Sequence, residues 1–169
     1  MNIFYLDRDP KIAAQMMCDK HVVKMILESA QMLCTAHRVV DGDRLADAAG
    51  FYKMTHKNHP STKWVRTCKE NYTWLWKHFD ALLKEYTHRY NKVHATARFR
   101  DVLYMSPVYI ERRPKFTDPP QCMPDYCKGD DTVKSYRTYY LLEKASFAKW
   151  KNGAIPEWFA ETAETAETV

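Results

Sequence analysis

From Lys11 to Asp41 the sequence holds neither Gly nor Pro. A run this long of good helix formers has little choice but helix. Asp9 is the expected N-cap and Pro10 the expected first helical residue. The helix is predicted to reach about Val40, with Gly42 beyond it as a stop and with length enough for a bend or a break.

Within this run, at about 100° per residue, His21, Lys24, Glu28 and Gln31 share a stripe roughly 80° wide. Val23, Ile26, Leu27, Ala30, Leu33 and Cys34 fall on the opposite side and are expected to pack into a core. The stripe sets a titratable base, a cation, a carboxylate and an amide in one row over roughly 15 Å of helix. A solvated face with a Lys24/Glu28 pair explains such a row, and so does a functional site.

A chain of 169 residues, 46% hydrophobic and 28% charged, predicts a single globular domain with a real core. The net charge is +5, and residues 1–159 alone carry +8, because the last ten residues hold three Glu and no base. That excess favours an anionic partner such as nucleic acid or nucleotide. The five Cys form no framework or zinc spacing, so reduced thiols and a cytosolic setting are expected, the host cytoplasm if the chain is viral. No signal peptide and no apolar run approaching about 18 residues is visible, which argues against a membrane partner.

Met1–Leu6 reads as a short strand or an extended arm. Residues 41–50 make a polar connection with room for one short helical turn. Asn58-His59-Pro60 punctuates the chain, with Ser61 or Thr62 as the expected cap of a helix reaching about His94. Lys57, Asn58 and His59 would then stand at a helix N-terminus, where a phosphate is favoured, or in an ordinary polar loop. Asn71, His78 and Glu85 recur every seven residues and read first as a solvent face. Five Pro between Ser106 and Asp125 forbid a long helix there. Arg112, Arg113 and Lys115 form a basic cluster in that loop, with Met105, Tyr109, Phe116 and Tyr126 as expected anchors. A last helix is predicted from Asp130 or Asp131 to about Lys151, followed by an aromatic segment, Ile155–Phe159, that reads as a C-terminal strap on the core or as a surface on which nucleic-acid bases stack. The Ala-Glu-Thr repeat of residues 160–169 is expected to be disordered. The fold class is therefore mainly α, with a short N-terminal arm and a long Pro-rich loop before the last helix.

No Gly-rich phosphate loop, G-x-S-x-G elbow or H-E-x-x-H pair is present, and no spacing argues for a metal or cofactor. What remains is Glu28 beside His21 and Lys24 in a basic, aromatic protein. Such a carboxylate can do acid/base work or stabilise a cationic centre such as a protonated imine. The matching nucleophile is an amine: a Lys of lowered pKa, or the α-amine of Met1, whose class titrates near about 7.7–8.0.

These residues resemble the pyrimidine dimer DNA glycosylase family of phages, with bacterial relatives. His21 followed by Glu28, Asn58-His59-Pro60 with Trp64 and Arg66, and the helix from Trp74 through Glu85, Arg89, Tyr90 and His94 carry the resemblance. It implies a mainly helical fold whose amino-terminal amine attacks C1′ of a damaged nucleotide and whose Glu assists base loss and strand nicking. Carried over, Met1 is the amine and Glu28 the carboxylate. His21, Lys24, Gln31, Asn58 and His59 are DNA contacts, joined by Lys57, Arg112 and Arg113 as basic groups. Duplex DNA, with a flipped base as one form, is the implied partner. The phage enzymes carry Arg immediately before and three residues after the Glu, where this chain has Leu27 and Gln31. Asn2 is too large for ordinary Met removal, so the amine is expected on Met1 itself. A non-catalytic nucleic-acid-binding or host-interaction protein, and a nucleotide-processing enzyme, remain alternatives.

Overall fold

Asp9 starts the first helix as expected: its Oδ1 accepts the amides of Lys11 and Ile12 at 2.8 and 3.3 Å, and Pro10 fills the first turn. In this computed structural model, which describes the backbone of residues 1–167 and side chains through Thr162, helix α1 (Pro10–Met16) ends early. Met17 and Cys18 are extended, and α2 (Asp19–Asp41) begins anew. Tertiary bonds hold the break open. The Cys18 amide donates to the Tyr140 hydroxyl at 3.2 Å, and the Asp19 amide donates to the Lys149 carbonyl at 2.7 Å.

The polar connection contains α3 (Asp43–Ala48). The following extended segment runs back along α2: Arg38 donates to the carbonyls of Phe51 and Tyr52, and Thr35 bonds the backbone of Thr55. This direction carries the chain toward Glu28. The predicted helix after Pro60 is again two helices, α4 (Pro60–Thr67) and α5 (Lys69–Tyr90), parted at extended Cys68. Asn91, left-handed at φ 55°, closes α5.

A 3-10 turn (Ala95–Phe99) leads into α6 (Arg100–Leu103). The Pro-rich loop follows, then a 3-10 turn at Asp125–Cys127 and α7 (Thr132–Tyr139), capped by Asp131. A π-helical turn (Tyr140–Lys144) replaces the expected continuation to Lys151. The chain leaves helical geometry so that Trp150 can donate to the Met16 carbonyl at 2.9 Å, beside the α1–α2 break. The last helix, α8 (Glu157–Glu167), runs through most of the segment expected to be disordered. Ala and Glu are strong helix formers, and Pro156 accepts the first helical amides, so the repeat extends a helix already started. The same expectation for residues 168 and 169 lies outside the described residues.

The protein is mainly α, and no strand occurs among the described residues. Helices α1 and α2 pack on α5, with α4 against both α2 and α5. Met1–Leu6 is an extended arm rather than a strand. Ile3, Phe4, Tyr5 and Leu6 are all buried, so the arm is part of the core. The Asn71/His78/Glu85 row is not a solvent face. Asn71 bonds the Trp64 carbonyl and the Thr117 amide, His78 bonds the Pro10 carbonyl at 2.9 Å, and Glu85 pairs with Arg89. Heptad spacing put these groups on the side of α5 that meets α1 and the loop. Of the expected loop anchors only Phe116 packs on the core, while Met105, Tyr109 and Tyr126 are exposed. Pro107, Ile110 and Pro119 are buried instead. Trp158 and Phe159 pack on the core through Tyr140 and Trp150, as a strap requires.

Candidate active site

The buried arc of α2 is rotated from the one its sequence predicts. Val23 and Leu27, expected in the core, are 38% and 39% exposed, while His21 is 5% exposed. The arm and the π-helical turn cover the His21 side. Phe4 stacks on the imidazole with ring centroids 4.0 Å apart, and the Tyr140 hydroxyl lies 2.6 Å from Nδ1. Burial, helped by Lys144, Lys24 and Lys20, pushes the His21 pKa down to about 3, so the ring is neutral at physiological pH. His21 is thus an interior support under the arm rather than a member of the exposed row.

Glu28 stands at the edge of that buried arc, with its side chain 15% exposed. The α-amine of Met1 lies 3.3 Å from its Oε1. Oε2 is buried and has no hydrogen-bond partner. Leaving such an acceptor unpaired costs about 1–3 kcal/mol. One carboxylate oxygen therefore holds an amine and the other is spare.

His59 closes the site from the α4 side. As N-cap of α4, its Nδ1 accepts the Ser61 amide at 3.1 Å. The neutral ring must then carry its proton on Nε2 and offers a donor only. Partial burial and then the positive Met1 amine lower its pKa, while Glu28 raises it. All three groups therefore share one electrostatic neighbourhood. Lys57 and Asn58, just before this cap, and Lys24, a turn from Glu28 on α2, are exposed around it; Gln31 is half-buried.

Arg112 and Arg113 stand apart. Asp41, roughly 20 Å along α2 from Glu28, accepts the amides of Val108 and Tyr109 at 2.7 and 3.0 Å, and the Lys69 amide donates to the Glu111 carbonyl at 2.8 Å, which sets this stretch of the loop beside the start of α5. Arg112 lines a cleft of about 540 Å³ there with Lys69, Trp76, Lys77 and Tyr104. Sequence reasoning missed Asn2, whose side chain holds the arm (Nδ2 to the Cys122 carbonyl, 2.9 Å), because short polar residues near a terminus carry no pattern. It also missed Tyr140, whose hydroxyl joins Cys18 and His21 across more than a hundred residues.

A helical protein that seats an amino-terminal amine against a carboxylate has the parts for amine-nucleophile chemistry, and the exposed Lys24 one turn along α2 adds positive charge that suits an anionic substrate. Residues 1–98, more than half the chain, match the family model described as pyrimidine dimer DNA glycosylase, and the protein belongs to that family. The function class is accordingly DNA glycosylase-type, with DNA as the substrate bound. No curated protein and no solved structure matches the chain. Among the described residues no helix is long and apolar enough to cross a membrane.

Proposed function

We propose that this protein removes a damaged or modified base from duplex DNA and nicks the strand, using the Met1 α-amine as nucleophile and Glu28 as the acid/base group. The observation that carries this reading is the amine held 3.3 Å from Glu28 Oε1 while Oε2 stays buried and unpartnered. Glu28 accepts a proton from the ammonium, leaving a free amine. The amine forms a bond to C1′ as the glycosidic C1′–N bond breaks, and the base departs with the electron pair and takes up the proton held by Glu28, which returns Glu28 to a carboxylate. The sugar ring then opens: the C1′–O4′ bond breaks, O4′ gains a proton and a C1′ iminium forms. Removal of a C2′ proton by Glu28 leaves that electron pair to form C2′=C3′, and the C3′–O bond breaks with phosphate as leaving group. Hydrolysis of the imine returns the amine.

The donor-only ring of His59 suits a sugar or phosphate oxygen, and Lys24, Lys57, Asn58 and Gln31 hold the strand around the site. The substrate nucleotide must leave the stack to reach C1′, so a flipped base accompanies this reading. Borohydride reduction in the presence of an abasic duplex should give a covalent adduct that peptide mass spectrometry maps to Met1. Glu28→Gln should lower the single-turnover rate about 10²–10⁴-fold. An adduct on a Lys, or none at all, would sink the mechanism, and tight binding without turnover would point to a non-catalytic DNA-binding protein.

A further inference from the structure

We infer that Asn2 is the positioning residue for the nucleophile, and that the Pro-rich loop and α7, which lie beyond the family-matched residues, complete the site by holding it. The inference rests on the Met1/Glu28 reading above. Asn2 bonds through both ends of its amide. Its Oδ1 accepts the amides of Ile3 and Phe4 at 2.7 and 3.3 Å, and its Nδ2 donates to the Cys122 carbonyl at 2.9 Å. The first two bonds fold the arm around Asn2, and the third fastens it to a segment 120 residues away.

The Cys122 segment is itself braced. Tyr136 on α7, fully buried, accepts the Cys122 amide at 3.3 Å and donates to the Pro120 carbonyl at 2.6 Å. The Cys122 thiol also lies 3.4 Å from Ser61 Oγ, in the first turn of α4 beside His59. One segment thus ties the arm to the α4 N-terminus. Phe4, next in the fold around Asn2, sits at φ 54°, a conformation that costs a bulky residue of order 1–3 kcal/mol and persists only where surroundings impose it.

The geometry explains why position 2 matters. The Met1–Asn2 peptide is planar, so once the Asn2 side chain is fixed only two backbone rotations, φ of Asn2 and ψ of Met1, separate the clamp from the amine. A chain terminus without such a clamp frays. Here the terminal nitrogen must stay within hydrogen-bond reach of Glu28, and a displacement near 1 Å can cost about 100-fold in rate.

Asn2→Leu removes all three bonds, and Asn2→Asp keeps the two acceptor bonds while losing the donor to Cys122. Both side chains match Asn in size, so Met1 is retained, which intact mass confirms. Single-turnover borohydride trapping on an abasic duplex should slow roughly 10- to 100-fold in Asn2→Leu and less in Asn2→Asp, with DNA affinity unchanged within about twofold. Tyr136→Phe, which removes only the brace, should slow trapping by a smaller factor. A second readout needs no DNA: limiting acetic anhydride should acetylate the Met1 amine several-fold faster in Asn2→Leu than in the parent, because the amine has left Glu28. If the parent forms no Met1 adduct, the proposed mechanism fails, and acetylation alone decides the clamp. Trapping and acetylation at parental rates in both Asn2 variants would overturn the inference, as would losses that only track DNA affinity or melting temperature.

Discussion

Phe4 lies almost flat on His21, ring centroids 4.0 Å apart and planes 17° from parallel, while its own backbone is at φ 54°. The stack joins the arm that carries the amine to the helix that carries Glu28. It also sets two effects against each other, a buried aromatic ring that stabilises and a backbone conformation that does not.

That opposition makes position 4 diagnostic. Phe4→Ala should destabilise by about 3 kcal/mol or more, as large-to-small changes in a core do. Phe4→Gly loses the same ring but occupies positive φ without strain, so it should be about 1 kcal/mol more stable than Phe4→Ala. Urea denaturation of the two variants checks the order. Alanine proving the more stable would mean that the arm relaxes out of this conformation.

Arg89 should be a stability residue and not a DNA contact. Its guanidinium is fully buried and reaches Asp19 and Glu85, each at 2.9 Å, and the Gln15 carbonyl at 3.0 Å. Asp19 in turn accepts the Lys151 amide, so the α1–α2 break, α5 and the C-terminal strap meet there. Arg89→Ala leaves two carboxylates without their cation and should cost about 3–5 kcal/mol. Denaturation should show the loss, and hydrogen exchange at Lys151 should speed up. A near-neutral effect would mean that solvent reaches the pair.

Acid should destabilise this fold through two histidines. Burial holds the His78 pKa down to about 4, and burial with nearby lysines holds His21 down to about 3, against an ordinary 6.5. Between these values the unfolded chain binds more protons than the folded one. The stabilising contribution is therefore complete above pH 6.5 and declines as the pH falls toward 4. The slope is at most about 1.4 kcal/mol per pH unit for each ring. Urea titrations at pH 7, 6 and 5 measure it. The same slope in a His21→Gln, His78→Gln double variant would show that other groups carry the acid sensitivity.

The cations near the pair should act on DNA affinity by charge. Lys24→Ala and Lys57→Ala are each expected to weaken duplex binding regardless of sequence and to reduce the slope of log affinity against log salt by about 0.9. Arg113→Ala probes whether the duplex also reaches the stretch of the Pro-rich loop that lies beside the start of α5. An unchanged slope in both lysine variants would move the DNA path off this face.

Much of this was legible in local chemistry. The Asp9-Pro10 start, the Gly42 stop and the long helical runs follow from propensity and capping, which act within a few residues. The spacing of His21 and Glu28, with Asn58-His59-Pro60, was enough to suggest the family that residues 1–98 match. Helix periodicity could not say which arc of α2 would be covered. Val23 and Leu27 are as apolar as Val22 and Ile26, yet only the latter pair meets the core.

The sequence by itself determined where helix would form, though not where it would break, together with the cationic balance and the presence of a carboxylate seven residues after a histidine. Only the tertiary structure decided that His21 would be buried beneath Phe4, that the Asn71/His78/Glu85 row would face inward, and that the Met1 amine would lie 3.3 Å from Glu28. The reason is range. Propensity and caps are set by neighbours a turn away, whereas the amine is placed by Asn2, Cys122 and Tyr136, residues that meet only when distant segments pack.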